Sequence, residues 1–124
     1  LNERVRAEKL RAEEIPNSYK QKFDFVTFRA VAKTNILLEY AEPFLAPQGT
    51  LIVMKANVDE IELQDASQAA KIFGYENVSR ETFELPNNLG HREILLYKKV
   101  AKSKIKLPRK NGMAKSNPFV ARRG

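Results

Sequence analysis

The stretch Phe23-Asp24-Phe25-Val26-Thr27-Phe28-Arg29-Ala30-Val31-Ala32 constrains this chain more than any other. Phe23, Phe25, Val26 and Phe28 form a short apolar run, the pattern of a parallel-sheet strand covered on both faces. The run stops at Arg29, where a strand gives way to a helix. In open α/β sheets, ligands sit outside that carboxyl end. Arg29 is therefore either a site residue or a surface residue that follows a strand.

A second apolar run, Thr50 to Lys55, also ends on a basic residue. Between the two runs, Thr34 or Asn35 can cap a helix that continues to about Leu45. Its apolar face is Leu37, Leu38, Ala41, Phe44 and Leu45. Pro43 should kink it or mark a second short turn. Pro47-Gln48-Gly49 reads as a turn before the second strand. A further helix is expected from Val58 to Phe73, with Leu63, Ala66, Ala69, Ala70 and Phe73 inward and Gly74 as its C-terminal cap. Val78 to Leu85 reads as a strand and Pro86 to Gly90 as a turn-rich loop. Glu93 to Lys99 reads as a last strand, with Ile94, Leu95, Leu96 and Tyr97 as its core. Upstream, Val5 to Leu10 suggests a short strand, and Arg11 to Pro16 a loop opening into one helical turn. The order predicts an α/β fold, a mostly parallel sheet with one strand reversed by a terminal antiparallel hairpin.

A chain of 124 residues makes one domain or part of one. It starts at Leu1 rather than a methionine, which suggests a fragment, a processed chain or missing upstream residues. It has no cysteine and a single histidine, so no disulfide framework or metal centre is expected. No apolar run approaches a membrane-spanning length, and a cytoplasmic protein is expected. The net charge of +7 is concentrated at one end: Lys98 to Gly124 holds ten basic residues and no acid. Such a stretch suits a polyanion, nucleic acid first. A solvated tail is the plainer alternative. Ile105, Leu107, Pro108, Phe119 and Val120 interrupt the charges, and purely solvating tails seldom carry that much apolar material.

Several segments then resemble one family. They are Arg11-Ala12-Glu13-Glu14, Phe23-Asp24 through Thr27 to Ala32, Pro47-Gln48-Gly49 with Leu51 to Lys55, Leu85-Pro86, Gly90 with Arg92, and Leu107-Pro108-Arg109-Lys110-Asn111-Gly112. Together they resemble the C-terminal portion of the small-subunit ribosomal RNA methyltransferase G family, also called glucose-inhibited division protein B. The resemblance implies the second half of a class I S-adenosylmethionine-dependent methyltransferase fold, with residues 1–100 in the catalytic domain and 101–124 as an RNA-contacting tail. It implies S-adenosyl-L-methionine as cofactor, 16S rRNA or a small-subunit precursor as partner, and methylation of guanine N7. Ala12, Glu13 and Arg29 fall at the family's cofactor positions. Arg11, Lys55, Arg92, Arg109 and Lys110 fall at basic positions serving the site or the RNA.

Two departures are mild: Glu93 stands where the family usually has histidine, with His91 just before, and Met113 replaces a common proline. The larger one is the absence of a G-x-G loop and of the acid that follows the second strand in the whole fold.

The residue types suit this chemistry. Guanine N7 carries an in-plane lone pair and no proton, so its methylation needs in-line approach rather than a general base. Methylation at pyrimidine C5 usually needs a cysteine nucleophile, which the chain lacks. A non-catalytic RNA-binding module and a methyltransferase for another acceptor remain the alternatives.

Overall fold

A computed structural model describes residues 20–29, 32–107, 109 and 112–121. The strand expected over 5–10 and the loop over 11–16 lie outside them. Four strands form one mixed sheet: β1 (Phe23–Arg29), β2 (Leu45–Lys55), β3 (Tyr75–Leu85) and β4 (Gly90–Lys99), in the order β1-β2-β4-β3. β1 and β2 are parallel, and β4 runs antiparallel to both of its neighbours. Three strands thus share a direction and β4 opposes them, as the terminal hairpin requires.

Two helices, α1 (Thr34–Ala41) and α2 (Glu60–Phe73), cover one face of the sheet. Leu38, Leu45, Leu51, Val53, Ala66, Phe73 and Leu95 are buried between the layers. α2 starts where Asp59 accepts a 2.8 Å hydrogen bond from the Glu62 N–H, and it stops at Gly74, whose φ of 86° is left-handed. A Cβ on Gly74 would lie 2.1 Å from the Ala101 carbonyl oxygen, so no larger residue fits. α1 differs from expectation at its start. Lys33 occupies the cap position without a side-chain bond, the Thr34 hydroxyl donates to Glu62, and Asn35 donates to the Phe119 carbonyl while its Oδ1 accepts from the Ile36 N–H. Of the two outcomes expected at Pro43, the structure has the second short turn, a 3-10 turn over Glu42–Phe44.

The turn expected at Pro47-Gln48-Gly49 is not a turn but an irregularity inside β2. Phe23 pairs with Leu45 and Phe25 with Thr50, so β2 places extra residues against β1. Gln48 takes a φ of 69°, and Gly49 lets backbone pass where a Cβ would meet the Ala46 oxygen at 2.9 Å. Bulged strands absorb such residues without losing the pairing.

β1 also differs from expectation. Val26 and Phe28 pack on the core, whereas Phe25 is 66% exposed. Among the described residues β1 has one neighbour, and only one sheet face carries helices. Ile52, Met54, Ile94 and Leu96 lie half-buried on the other face.

The chain beyond β4 folds back over the helices. The Lys104 N–H bonds the Ile72 carbonyl at 2.8 Å, and the Ala121 N–H bonds Asp65 Oδ1 at 2.9 Å. Ile105, Leu107 and Phe119 pack against the core, and Ala114 is buried within the short helix α3 (Met113–Ser116). Three of the apolar residues that interrupt the basic stretch, Ile105, Leu107 and Phe119, are thus anchors, whereas Val120 is exposed. Lys102, Lys104, Lys106 and Lys115 stay exposed.

Candidate functional site

The carboxyl ends of β1, β2 and β3 and the start of β4 converge on one end of the sheet. Two buried glutamates hold the loops there. Glu62 Oε2 accepts from the Thr34 N–H at 2.9 Å, the Thr34 hydroxyl at 2.7 Å and Lys55 Nζ at 2.5 Å. Lys55 also donates to the Ala32 carbonyl at 2.8 Å. The loop leaving β1 is therefore fastened both to the end of β2 and to α2. With three donors on one oxygen, the carboxylate is well compensated for its burial.

Glu93 does the same for the next loop. Its Oε2 accepts from the Val58 N–H at 2.9 Å, and its Oε1 from Arg80 Nε at 2.7 Å. Burial pushes the Glu93 carboxyl up, but the bonds from Arg80 and Val58 and the nearby charges bring it below its ordinary value. His91 bridges outward, bonding Glu84 through Nδ1, with Nε2 3.4 Å from Glu93. The Glu84 hydrogen bond raises the His91 pKa above its ordinary value.

The strand register sorts the candidate residues onto two faces. Side chains directly opposite in neighbouring strands share a face. Arg29 stands beside Met54 and Met54 beside Ile94, while Lys55 stands beside Glu93. Arg29 and Arg92 therefore lie on the open face, and Lys55 on the helix-covered face. Arg29 is exposed and has no hydrogen-bond partner among the described residues. Arg92 is half-exposed and donates to the His91 carbonyl at 2.7 Å. Lys55 is buried against the Ala32 carbonyl and Glu62 and presents no charge to solvent. Arg109 sits on the helix-covered side, against α1. It forks both Glu39 oxygens at 2.6 Å and lies 4.5 Å over the Phe119 ring. It anchors the basic stretch to α1. Arg11, Ala12, Glu13 and Lys110 lie outside the described residues.

Sequence reasoning missed both glutamates as framework. Asp59-Glu60-Ile61-Glu62 carries a capping-box spacing, which signals a glutamate reaching back to the cap. Here Glu62 turns inward to Lys55 instead. Glu93 was visible only as a departure from a pattern.

No group of three or more metal-ligating side chains occurs among the described residues. No helix there is long and apolar enough to cross a membrane. The family model for rRNA small subunit methyltransferase G, GidB, matches residues 1–95. The chain belongs to this family. Relatives named ribosomal RNA small subunit methyltransferase G share 40% identity in Lactococcus lactis subsp. lactis (82% of this chain, 42% of the relative). The Leuconostoc citreum relative is also 40% identical (89% and 46%), and that of Staphylococcus epidermidis 36% (82% and 43%). The chain thus spans less than half the length of these curated relatives.

Solved structures place the fold among S-adenosylmethionine-dependent methyltransferases. The antibiotic-resistance methyltransferase Kmr superposes with a TM-score of 0.56 at 14% identity, over 74% of this chain and 60% of that one. A Burkholderia thailandensis 1,6-didemethyltoxoflavin-N1-methyltransferase, solved with S-adenosylhomocysteine, gives 0.55 at 15%, over 73% and 48%.

Proposed function

We propose that this chain is the C-terminal portion of a cytoplasmic enzyme that methylates guanine N7 of 16S rRNA with S-adenosyl-L-methionine. The family membership over residues 1–95 carries the reading. The guanidinium of Arg29 at the carboxyl end of β1, exposed and without a partner among the described residues, fits one side of a cofactor site. Its planar fork suits a carboxylate or a base edge. When bound, the cofactor supplies an electrophilic methyl group on a sulfonium.

The chain's own part is positional. Lys55, Glu62 and Thr34 hold the loop that carries the chain away from Arg29. Glu93 and Arg80 hold the loop after β2. Arg92 adds a second cation to the same face, where it suits a phosphate of the RNA. Guanine N7 needs no proton removed, so a site of fixed cations without a general base is sufficient on this side. Ala12 and Glu13 would hold the adenine side, and Arg11 and Lys110 would add to the RNA contact.

The test joins this chain to the upstream portion of the Lactococcus lactis relative. The hybrid should transfer methyl groups to deproteinised 16S rRNA, mapped to guanine N7. Transfer to another position, or RNA binding without any transfer, would refute the reading.

A further inference from the structure

A cavity lies between α2 and strands β3 and β4, with Arg80, which also holds Glu93, in its lining. It encloses about 400 Å³, within the range of small-molecule sites. Leu63, Ala70 and Leu95 give it an apolar wall, and the Tyr75 and Tyr97 rings meet edge to face there at 6.3 Å. Ser67, Lys71, Asn77 and Arg80 supply its polar and charged lining.

Tyr97 is the telling residue. Its side chain is only 2% exposed and lines this cavity. Tyr75, its neighbour, donates its hydroxyl to the Leu38 carbonyl at 2.8 Å. The Tyr97 hydroxyl has no hydrogen-bond partner among the described residues, and it is not sealed away from open space. Buried tyrosine hydroxyls usually find a partner. Burial, with the Glu62 charge adding to it, pushes the Tyr97 phenol up to about 12, so the group keeps its proton and donates. Asn77 complements it. Its amide nitrogen is spent on the Leu96 carbonyl at 3.2 Å, which leaves its oxygen to accept. The cavity thus offers one buried donor and one acceptor within an aromatic and aliphatic wall, with two cations beside them.

We infer that this cavity binds a purine nucleotide, base inward and phosphate against Lys71 and Arg80. A purine edge presents both an acceptor and a donor, as guanine does at O6 and N1, and matches what Tyr97 and Asn77 leave open. An aliphatic acid would leave the Asn77 oxygen unmet, and inorganic phosphate would leave the apolar wall uncovered. The nucleotide is either free or an unstacked residue of an RNA strand. The second source rests on the rRNA reading above. The first does not, and it is measured without methyl transfer.

The experiment titrates the 124-residue chain with GMP by calorimetry. Inorganic phosphate and a short guanine-containing RNA strand serve as competitors. Saturable GMP binding is expected, weakened about three- to tenfold by Tyr97→Phe, which keeps the ring and removes one hydrogen bond. Lys71→Ala, at an exposed position, should weaken GMP but not guanosine. RNA displacing GMP, with loss of displacement for RNA lacking guanine, assigns the site to the strand. Failure of RNA to displace it assigns the site to the free nucleotide. Phosphate binding as tightly as GMP, or Tyr97→Phe binding unchanged, would overturn the inference.

Discussion

Lys55 and Glu62 meet at 2.5 Å with both side chains buried, and both also bond the main chain of the loop leaving β1, at Ala32 and Thr34. The pair is therefore a clasp at the carboxyl end of the sheet. Breaking a buried pair leaves an uncompensated charge and costs about 3–5 kcal/mol. Lys55→Met should lower unfolding free energy by roughly that amount in urea. The exposed Lys102→Met should change it by no more than about 0.5 kcal/mol. Equal effects of the two replacements would mean that the clasp holds nothing.

Arg29→Ala should leave the far-ultraviolet spectrum and the melting temperature unchanged, because the side chain is exposed and unpartnered among the described residues. In the hybrid enzyme it should cost about 1.5–3 kcal/mol of transition-state or cofactor binding, the worth of one charge-assisted hydrogen bond. Parental activity at subsaturating cofactor would remove Arg29 from the site.

The basic stretch needs a test that spares its anchors. Deleting it would strip Ile105, Leu107 and Phe119 from the core. Lys102, Lys104 and Lys106 are exposed and can be changed to glutamine without that loss. If all of them neutralise RNA phosphates, the slope of log affinity against log salt should flatten by about 0.7 for each phosphate no longer neutralised. An unchanged slope would show that these lysines only keep the chain in solution.

His91 gives a pH signature. Its folded pKa lies above the ordinary 6.5 because of the Glu84 hydrogen bond. A raised pKa means that the folded state binds the proton more tightly, so the stabilisation is complete below the unfolded value. It fades as pH rises through the folded value. His91→Gln should therefore lower the melting temperature in mildly acidic buffer and converge with the parent in alkaline buffer. A gap that widens with pH would contradict this sign.

The reversed strand, the two helical faces and the Gly74 cap were legible because each rests on local pattern. The faces of Arg29 and Lys55 were not. Both end an apolar strand on a cation, and they looked equivalent. The irregularity between Leu45 and Thr50 sets the register so that Arg29 faces Met54, one residue short of Lys55. A one-residue offset puts two side chains on opposite faces of a sheet. That offset depends on how Gln48 and Gly49 pack against β1, which no periodicity reports. Arg109 was hidden for a similar reason. Its partner Glu39 lies 70 residues away in sequence, and nothing local pairs them.

β4 is the last strand among the described residues, yet it stands inside the sheet, between β2 and β3. During synthesis β1 and β2 can pair as soon as both exist, but β3 has no bonded neighbour until β4 follows it. The sheet is then completed by a single late insertion that joins two separate pieces. Chains that emerge in order fold their early parts first. Here an inner strand of the sheet is made after both of its neighbours, so the core closes only once β4 has emerged. Until then Leu51, Val53 and Tyr75 wait for their cover, and a nascent chain halted before Gly90 is half a sheet with an open seam.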